Sequence, residues 1–200
     1  MRPIQKPIIP VTPAPPIYQF RVFLEDVRPL VWRRIQVPAD FTIARLHQVI
    51  QAIMDWQDCH LHEFSVADRT YGAPDSEEER EVLDERGVRL QDIGLSVGDR
   101  VAYIYDFGDN WRLVLQLEDE LLPNADTVYP VCVGGESSAP PEDVGGTSGY
   151  EEFLEALADP DHEDHMRMKE WVGRPFDQGA FSLAETNQRL QKMLRLGKRR

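Results

Sequence analysis

The side chains of this chain best suited to chemistry are four acids, Asp106, Asp109, Glu142 and Asp143, and three imidazoles, His47, His60 and His62. Carboxylates and imidazoles move protons, bind cations and ligate borderline metals such as zinc or manganese. Asp106 and Asp109 lie in Tyr103-Ile104-Tyr105-Asp106-Phe107-Gly108-Asp109-Asn110-Trp111, where aromatics and acids crowd around one glycine. The run reads as a strand, an acidic tight turn and a second strand opening on Trp111. With a two-residue loop at Gly108-Asp109, Phe107 pairs with Asn110 and Asp106 faces Trp111. Asp106 then shares a face with Ala102, Ile104, Leu113 and Leu115, where a carboxylate needs a hydrogen bond or a counter-charge. Two roles compete for it: a buried acid or cation ligand, and a turn residue whose carboxylate accepts loop amides. The Asp-Phe-Gly triplet is not a kinase mark, because the lysine strand, catalytic loop and nucleotide loop are absent.

The second acidic motif is Glu142-Asp143-Val144-Gly145-Gly146, leading into a helix that contains Tyr150. Its glycines and the helix start would suit an anion, but Glu142 and Asp143 oppose one, and no lysine follows as in a P-loop. Either these acids cap helix amides, or they join the hairpin acids in a polar site. That site comprises Asp106, Asp109, Trp111, Glu142, Asp143 and Tyr150, between turn 106–111 and loop 140–150. The alternative is a metal site of His47, His60, His62 and Asp106. His60 and His62 alternate along one strand, and His47 lines up with Ile50 and Met54 on a helix. No His-Glu-x-x-His spacing fixes such a site, and no cofactor is expected. The plainer reading of His47 is a core-edge histidine bonded to a backbone carbonyl. Cys59 and Cys132 are isolated and read as inert free thiols. Trp32, Trp56, Trp111 and Trp171 read as core anchors, each needing an indole acceptor.

The elements that position these residues follow from periodicity. Tyr18–Leu24 and Val31–Val37 read as two antiparallel strands around Asp26-Val27-Arg28-Pro29. Thr42 caps a helix over 43–56 with Leu46, Val49, Ile50, Ile53 and Met54 on one face. A strand at 63–67 follows, then a solvated, partly helical excursion over 72–86, the hairpin, and a strand near 127–133. Capping boxes at Ser148 and Ser182 open two helices, and a short one spans 163–171. Strands dominate early and helices late. This predicts an α+β fold: a mainly antiparallel sheet (ββαβ start, later hairpin), helices on one side and a helical C-terminal third. The expected organisation is a Pro-rich disordered arm (1–16), one domain (17–195) and a basic tail (196–200).

The charge balance narrows the partners. The net charge is −13, and no Lys or Arg occurs between Leu113 and Met166. Such a face repels a phosphate backbone, so nucleic acid is not an expected partner. It attracts cations or a basic protein, or simply keeps the chain in solution. No apolar run approaches the ~20 residues that span a bilayer, and the proline-broken N-terminus lacks a signal-peptide core. A cytoplasmic protein is expected.

Four ordered motifs carry a family resemblance: Trp32–Pro38; Leu46–Gln51 with Trp56 and His60–Phe64; Tyr105–Trp111; and Pro140–Gly146 with Gly149-Tyr150-Glu151. Together they resemble the Ri-plasmid (pRiA-type) open-reading-frame-three-like family over residues 17–195. The resemblance implies an α+β domain and a cytoplasmic bacterial protein without a defined activity. Some members are linked to insertion-element passenger or resolvase proteins, but recombinase chemistry is not supported here: no nucleophilic Ser or Tyr sits among clustered Arg. The family often has His at the position of Leu113 and brackets the loop Ala139–Val144 with two cysteines. A metal site built on those residues cannot exist here in full. Three functions are therefore carried forward: a binding or accessory module with an unidentified protein or small-ligand partner, a metal-dependent hydrolase or nuclease-like enzyme, and a DNA-associated accessory protein. The lack of a complete catalytic set favours the first.

Overall fold

The computed structural model describes residues 14–73 and 81–197. The N-terminal arm expected over 1–16 therefore lies largely outside the described residues. So do part of the 72–86 excursion and the last three residues of the basic tail. The elements are β1 (Ile17–Leu24), β2 (Trp32–Pro38), α1 (Ile43–Met54), β3 (His62–Val66), β4 (Arg69–Gly72), β5 (Val82–Asp84), β6 (Arg100–Tyr105), β7 (Trp111–Leu121), β8 (Val131–Glu136), α2 (Gly146–Ala158), α3 (His165–Val172) and α4 (Leu183–Gly197). The fold is α+β. Among the described residues the strands form one mixed sheet in the order β5-β4-β3-β6-β7-β1-β2-β8. Neighbouring strands run antiparallel except β4 and β5, which are parallel. No helix among the described residues is long and apolar enough to cross a membrane.

Alternation decides which sheet face is covered. Tyr18, Phe20, Val22 and Leu24 of β1 are buried, as are Trp111, Leu113, Leu115 and Leu117 of β7. They pack with Leu46, Val49, Ile50 and Ile53 of α1, Tyr150 and Phe153 of α2, and Leu190 of α4. Burying one such side chain contributes about 1.5–3 kcal/mol. The opposite face is polar: the Arg34 guanidinium donates to both oxygens of Glu118 (2.5 and 2.8 Å), and Gln19 donates to the same carboxylate. α1 starts where expected, with the Thr42 hydroxyl accepting the Arg45 amide, and ends at Asp55 in the left-handed region (φ 60).

Three local expectations are corrected. The segment 72–86, expected to be a solvated excursion, contributes the short strand β5, which pairs with β4 just before it and packs Leu83 against the core. α2 starts at Gly146 behind a left-handed Gly145 (φ 97), not at a Ser148 capping box; no side chain caps it. The hairpin pairs Tyr105 with Trp111, leaving a five-residue loop, 106–110. This puts Val101, Tyr103 and Tyr105 inward, while Ala102 is exposed and Ile104 half-buried. Burying two tyrosines outweighs burying an alanine and an isoleucine. The same register takes Asp106 out of the place opposite Trp111 and into the loop, where its side chain is 13% exposed and turn amides donate to its carboxylate.

Candidate functional site

The site forms where three connections meet the end of β6. The first is the short segment after α1. Asp55 and Asp58 both have positive φ (60 and 58), so the chain reverses directly after the helix. The Asp58 amide donates to Gln51 Oε1 and the Cys59 amide to the Tyr105 hydroxyl (3.2 Å). The Asp106 amide donates to Leu61 O at 2.9 Å, carrying the β3–β6 pairing one step past the strand. These bonds set His60 beside Asp106.

The second connection is the hairpin loop. Asp106 takes a left-handed conformation (φ 53), tolerated by aspartate better than by most residues. Its Oδ1 accepts the Gly108 amide (2.9 Å) and the Asp109 amide (3.3 Å), as expected of a turn residue. Its Oδ2 is left facing His60 Nε2 at 3.5 Å.

The third connection is the loop between β8 and α2. Gly146 (φ 68) sits so close to the hairpin loop that a Cβ there would lie 2.6 Å from Asp109 O. Asp109 Oδ2 accepts the Gly145 amide at 3.1 Å. Asp109 thus fastens one loop to the other. Glu142 is turned inward, its side chain only 7% exposed. Its Oε2 accepts the Gln57 amide (2.7 Å) and its Oε1 the Tyr105 hydroxyl (2.6 Å). Asp143 reaches His60 Nε2 at 2.8 Å.

One imidazole therefore faces three carboxylates: Asp143 at 2.8 Å, Asp106 at 3.5 Å and Glu142 at 3.9 Å. Burial works against protonating His60, but the Asp143 hydrogen bond and the fields of Asp106, Asp143 and Glu142 outweigh it and raise its pKa. Burial, the Glu142 carboxylate and its hydrogen bond push the Tyr105 hydroxyl far above its ordinary value. Burial and Glu142 likewise push the Cys59 thiol up, so neither group is an activated nucleophile. Glu142 and Asp143 also line a groove of about 830 Å³ together with Trp171, Arg174, Phe176 and Phe181.

The six residues expected at the polar site divide. Asp106, Glu142 and Asp143 converge. Asp109 is a loop fastener. Trp111 and Tyr150, at 2% and 1% exposure, are core beneath the site: Trp111 packs between Trp56 and Tyr150. The Tyr150 hydroxyl is buried without a hydrogen-bond partner among the described residues, and burial pushes its pKa up to about 12. Of the alternative metal set, His60 and Asp106 come together, whereas His47 and His62 stack on each other at 3.4 Å, 2° from parallel. His47 bonds Asp58 (2.7 Å) and the Tyr103 hydroxyl (2.8 Å) rather than a backbone carbonyl, and His62 bonds Glu85 (2.9 Å). The indoles of Trp32 and Trp56 do find acceptors, Glu136 and Pro140 O. Sequence reasoning missed Tyr105 and Cys59 as site residues. The inward alternation of Tyr103 and Tyr105 was the available signal for the first.

Residues 16–185 match the model of a family described as plasmid pRiA4b ORF-3-like protein. The chain belongs to this family. An uncharacterized protein, y4hQ of Sinorhizobium fredii (strain NBRC 101917 / NGR234), is 39% identical over 173 residues, covering 86% of this chain and 89% of that one. A crystal structure of a protein of unknown function, MM3350 from Methanosarcina mazei Go1, matches with a TM-score of 0.80 at 36% identity, over 87% of this chain and 98% of its own. All four resemblance motifs fall inside the matched family span. Where the family pattern suggested a histidine, this member buries Leu113 in the core, and Ala139 and Val144 pack against that core.

Proposed function

We propose that this family member is a binding or accessory module rather than a catalyst, and that the acidic cluster around His60 takes a cationic ligand. One observation carries the reading: Asp106, Glu142 and Asp143 all approach a single imidazole. Among the described residues no Lys or Arg side chain pairs with any of the three. Close like charges cost free energy unless a cation joins them. The sequence without Lys or Arg from Leu113 to Met166 adds to the same field. A catalytic reading lacks support of this kind, since the thiol and hydroxyl at the site are pushed away from their reactive forms. A DNA-binding reading is opposed by the three carboxylates themselves, which repel a phosphate backbone.

The test is thermal denaturation with cationic probes (divalent metals, spermidine, arginine amide) against anionic ones (phosphate, citrate). Cations are expected to raise the melting temperature of the wild-type chain and not that of Asp143→Asn. Stabilisation by anions, or equal stabilisation of both chains, would refute the reading.

A further inference from the structure

We infer that His60 Nε2, Asp106 Oδ2 and Asp143 Oδ1 are the protein ligands of a single divalent transition-metal site. This rests on the cationic-ligand reading above and names the ligand. The three residues offer ligand atoms that lie within 4.8 Å of one another. Zinc-type ions hold N and O ligands at about 2.0–2.2 Å, which in tetrahedral geometry separates neighbouring ligands by about 3.3–3.6 Å. The His60–Asp106 separation of 3.5 Å already matches, and the His60–Asp143 separation of 2.8 Å needs only a small rotation of an exposed side chain.

The ligand set is also held in place by its surroundings. Turn amides occupy Asp106 Oδ1 and leave Oδ2 facing the imidazole. Glu142 stays outside the ligand set: the Gln57 amide holds one of its oxygens and the Tyr105 hydroxyl the other, and it stops 3.9 Å from His60 Nε2. Cys59 forms an overlapping group with His60 and Glu142, but His60 Nε2 can serve one ion at a time. The Cys59 thiol is already directed at Glu142 Oε1 at 3.6 Å.

The donor types select the metal. One imidazole nitrogen with two carboxylate oxygens suits Zn²⁺, Mn²⁺ or Co²⁺ better than Ca²⁺, which prefers all-oxygen cages, or Cu⁺, which prefers sulfur. Three protein ligands leave a position of the ion open. The half-exposed His60 (30%) and exposed Asp143 (64%) put that position toward solvent.

The experiment uses the full-length, untagged chain, stripped with a chelator and dialysed. Calorimetric titration with Zn²⁺ and visible absorption on adding Co²⁺ are expected to give one ion per chain. His60→Gln and Asp143→Asn are expected to weaken binding by about ten-fold or more. His62→Gln, whose imidazole pairs with Glu85 away from the cluster, should retain the wild-type stoichiometry. Circular dichroism establishes that the two ligand variants are folded. No binding by the wild type, or His60→Gln binding as well as the wild type, overturns the metal site. If metals fail while arginine amide or spermidine still stabilises the wild type and not Asp143→Asn, the cationic reading survives without the metal. If every cation fails, both fall.

Discussion

The stacked pair His47 and His62 is the most constrained titratable feature outside the site. His47 Nε2 meets the Asp58 carboxylate and therefore carries the proton; Nδ1 then accepts from the Tyr103 hydroxyl, which in turn accepts from Gln51 Nε2. Protonating Nδ1 would aim two donors at that hydroxyl and leave its own hydrogen without an acceptor. It would also place a positive charge 3.4 Å from a second imidazole that has its own carboxylate, Glu85. Burial is the largest cause holding the His47 pKa below its ordinary value of 6.5; the Asp58 hydrogen bond and the charges of Asp58 and Glu85 oppose it, while His62 adds to it. The folded chain then binds fewer protons here than the unfolded one. This contribution to stability is complete above the unfolded pKa near 6.5 and is lost as pH falls through and below it. Urea denaturation at pH 8, 7, 6 and 5 should show a steeper fall for the wild type than for His47→Gln. Parallel curves would remove His47 as the cause. The sequence placed His47 at the core edge with a hydrogen-bonded nitrogen, but showed neither the stacked imidazole nor the Asp58 and Tyr103 partners. The three partners of His47 come from a loop (Asp58) and two strands (Tyr103 of β6 and His62 of β3).

At the scale of elements, the pattern of inward residues was legible and the pairings were not. β7 read correctly because Trp111, Leu113 and Leu115 alternate without ambiguity. β6 read one residue out of step, because Ala102 and Ile104 offer a plausible apolar face until the bulk of Tyr103 and Tyr105 is weighed. β5 was hidden by its length: three residues, Val82–Asp84, show no periodicity of their own. The sheet edge at β8 is managed by a contact that periodicity also cannot reveal. Asn187 of α4 accepts the Cys132 amide through Oδ1 and donates to Cys132 O through Nδ2, both at 2.9 Å. One side chain thus takes the place of a further strand and blocks edge pairing. Asn187→Ala leaves both backbone groups without that partner, and a loss of about 1–3 kcal/mol is expected. Amide hydrogen exchange gives the specific readout: the Cys132 amide should exchange faster while those of β7 stay protected. An unchanged Cys132 amide would mean that the side chain does not guard this edge.

Across the whole molecule, sequence-distant segments are tied by polar groups set into an otherwise apolar frame. The α+β class was readable from strands early and helices late, but the convergence of His60 with Asp143, 83 positions apart, depends on how three loops close over one strand end. The C-terminal end of α1 illustrates the same principle. A helix end presents free carbonyls and partial negative charge, and here three arginines gather on it. Arg33 of β2 donates to Ile53 O, Arg189 of α4 to Ala52 O, and Arg174 pairs with Asp55 just after the helix. Arg33 does the most, because it also donates to the carbonyls of Trp32, Glu136 and Ser137, and its guanidinium lies over the Phe181 ring at 4.5 Å. It is 3% exposed, and burial drives its pKa down to about 10, which still leaves it charged at neutral pH. One buried fork thereby joins α1, β2, the end of β8 and the segment leading into α4. Arg33→Met fills similar volume but abandons four carbonyls, so a loss of about 3 kcal/mol or more is expected. Arg174→Met breaks only an exposed pair and should cost about 1 kcal/mol or less. Urea denaturation of the two variants side by side separates these roles. If Arg33→Met is no less stable than Arg174→Met, the four carbonyls are satisfied by other means and the buried fork does not hold these segments together.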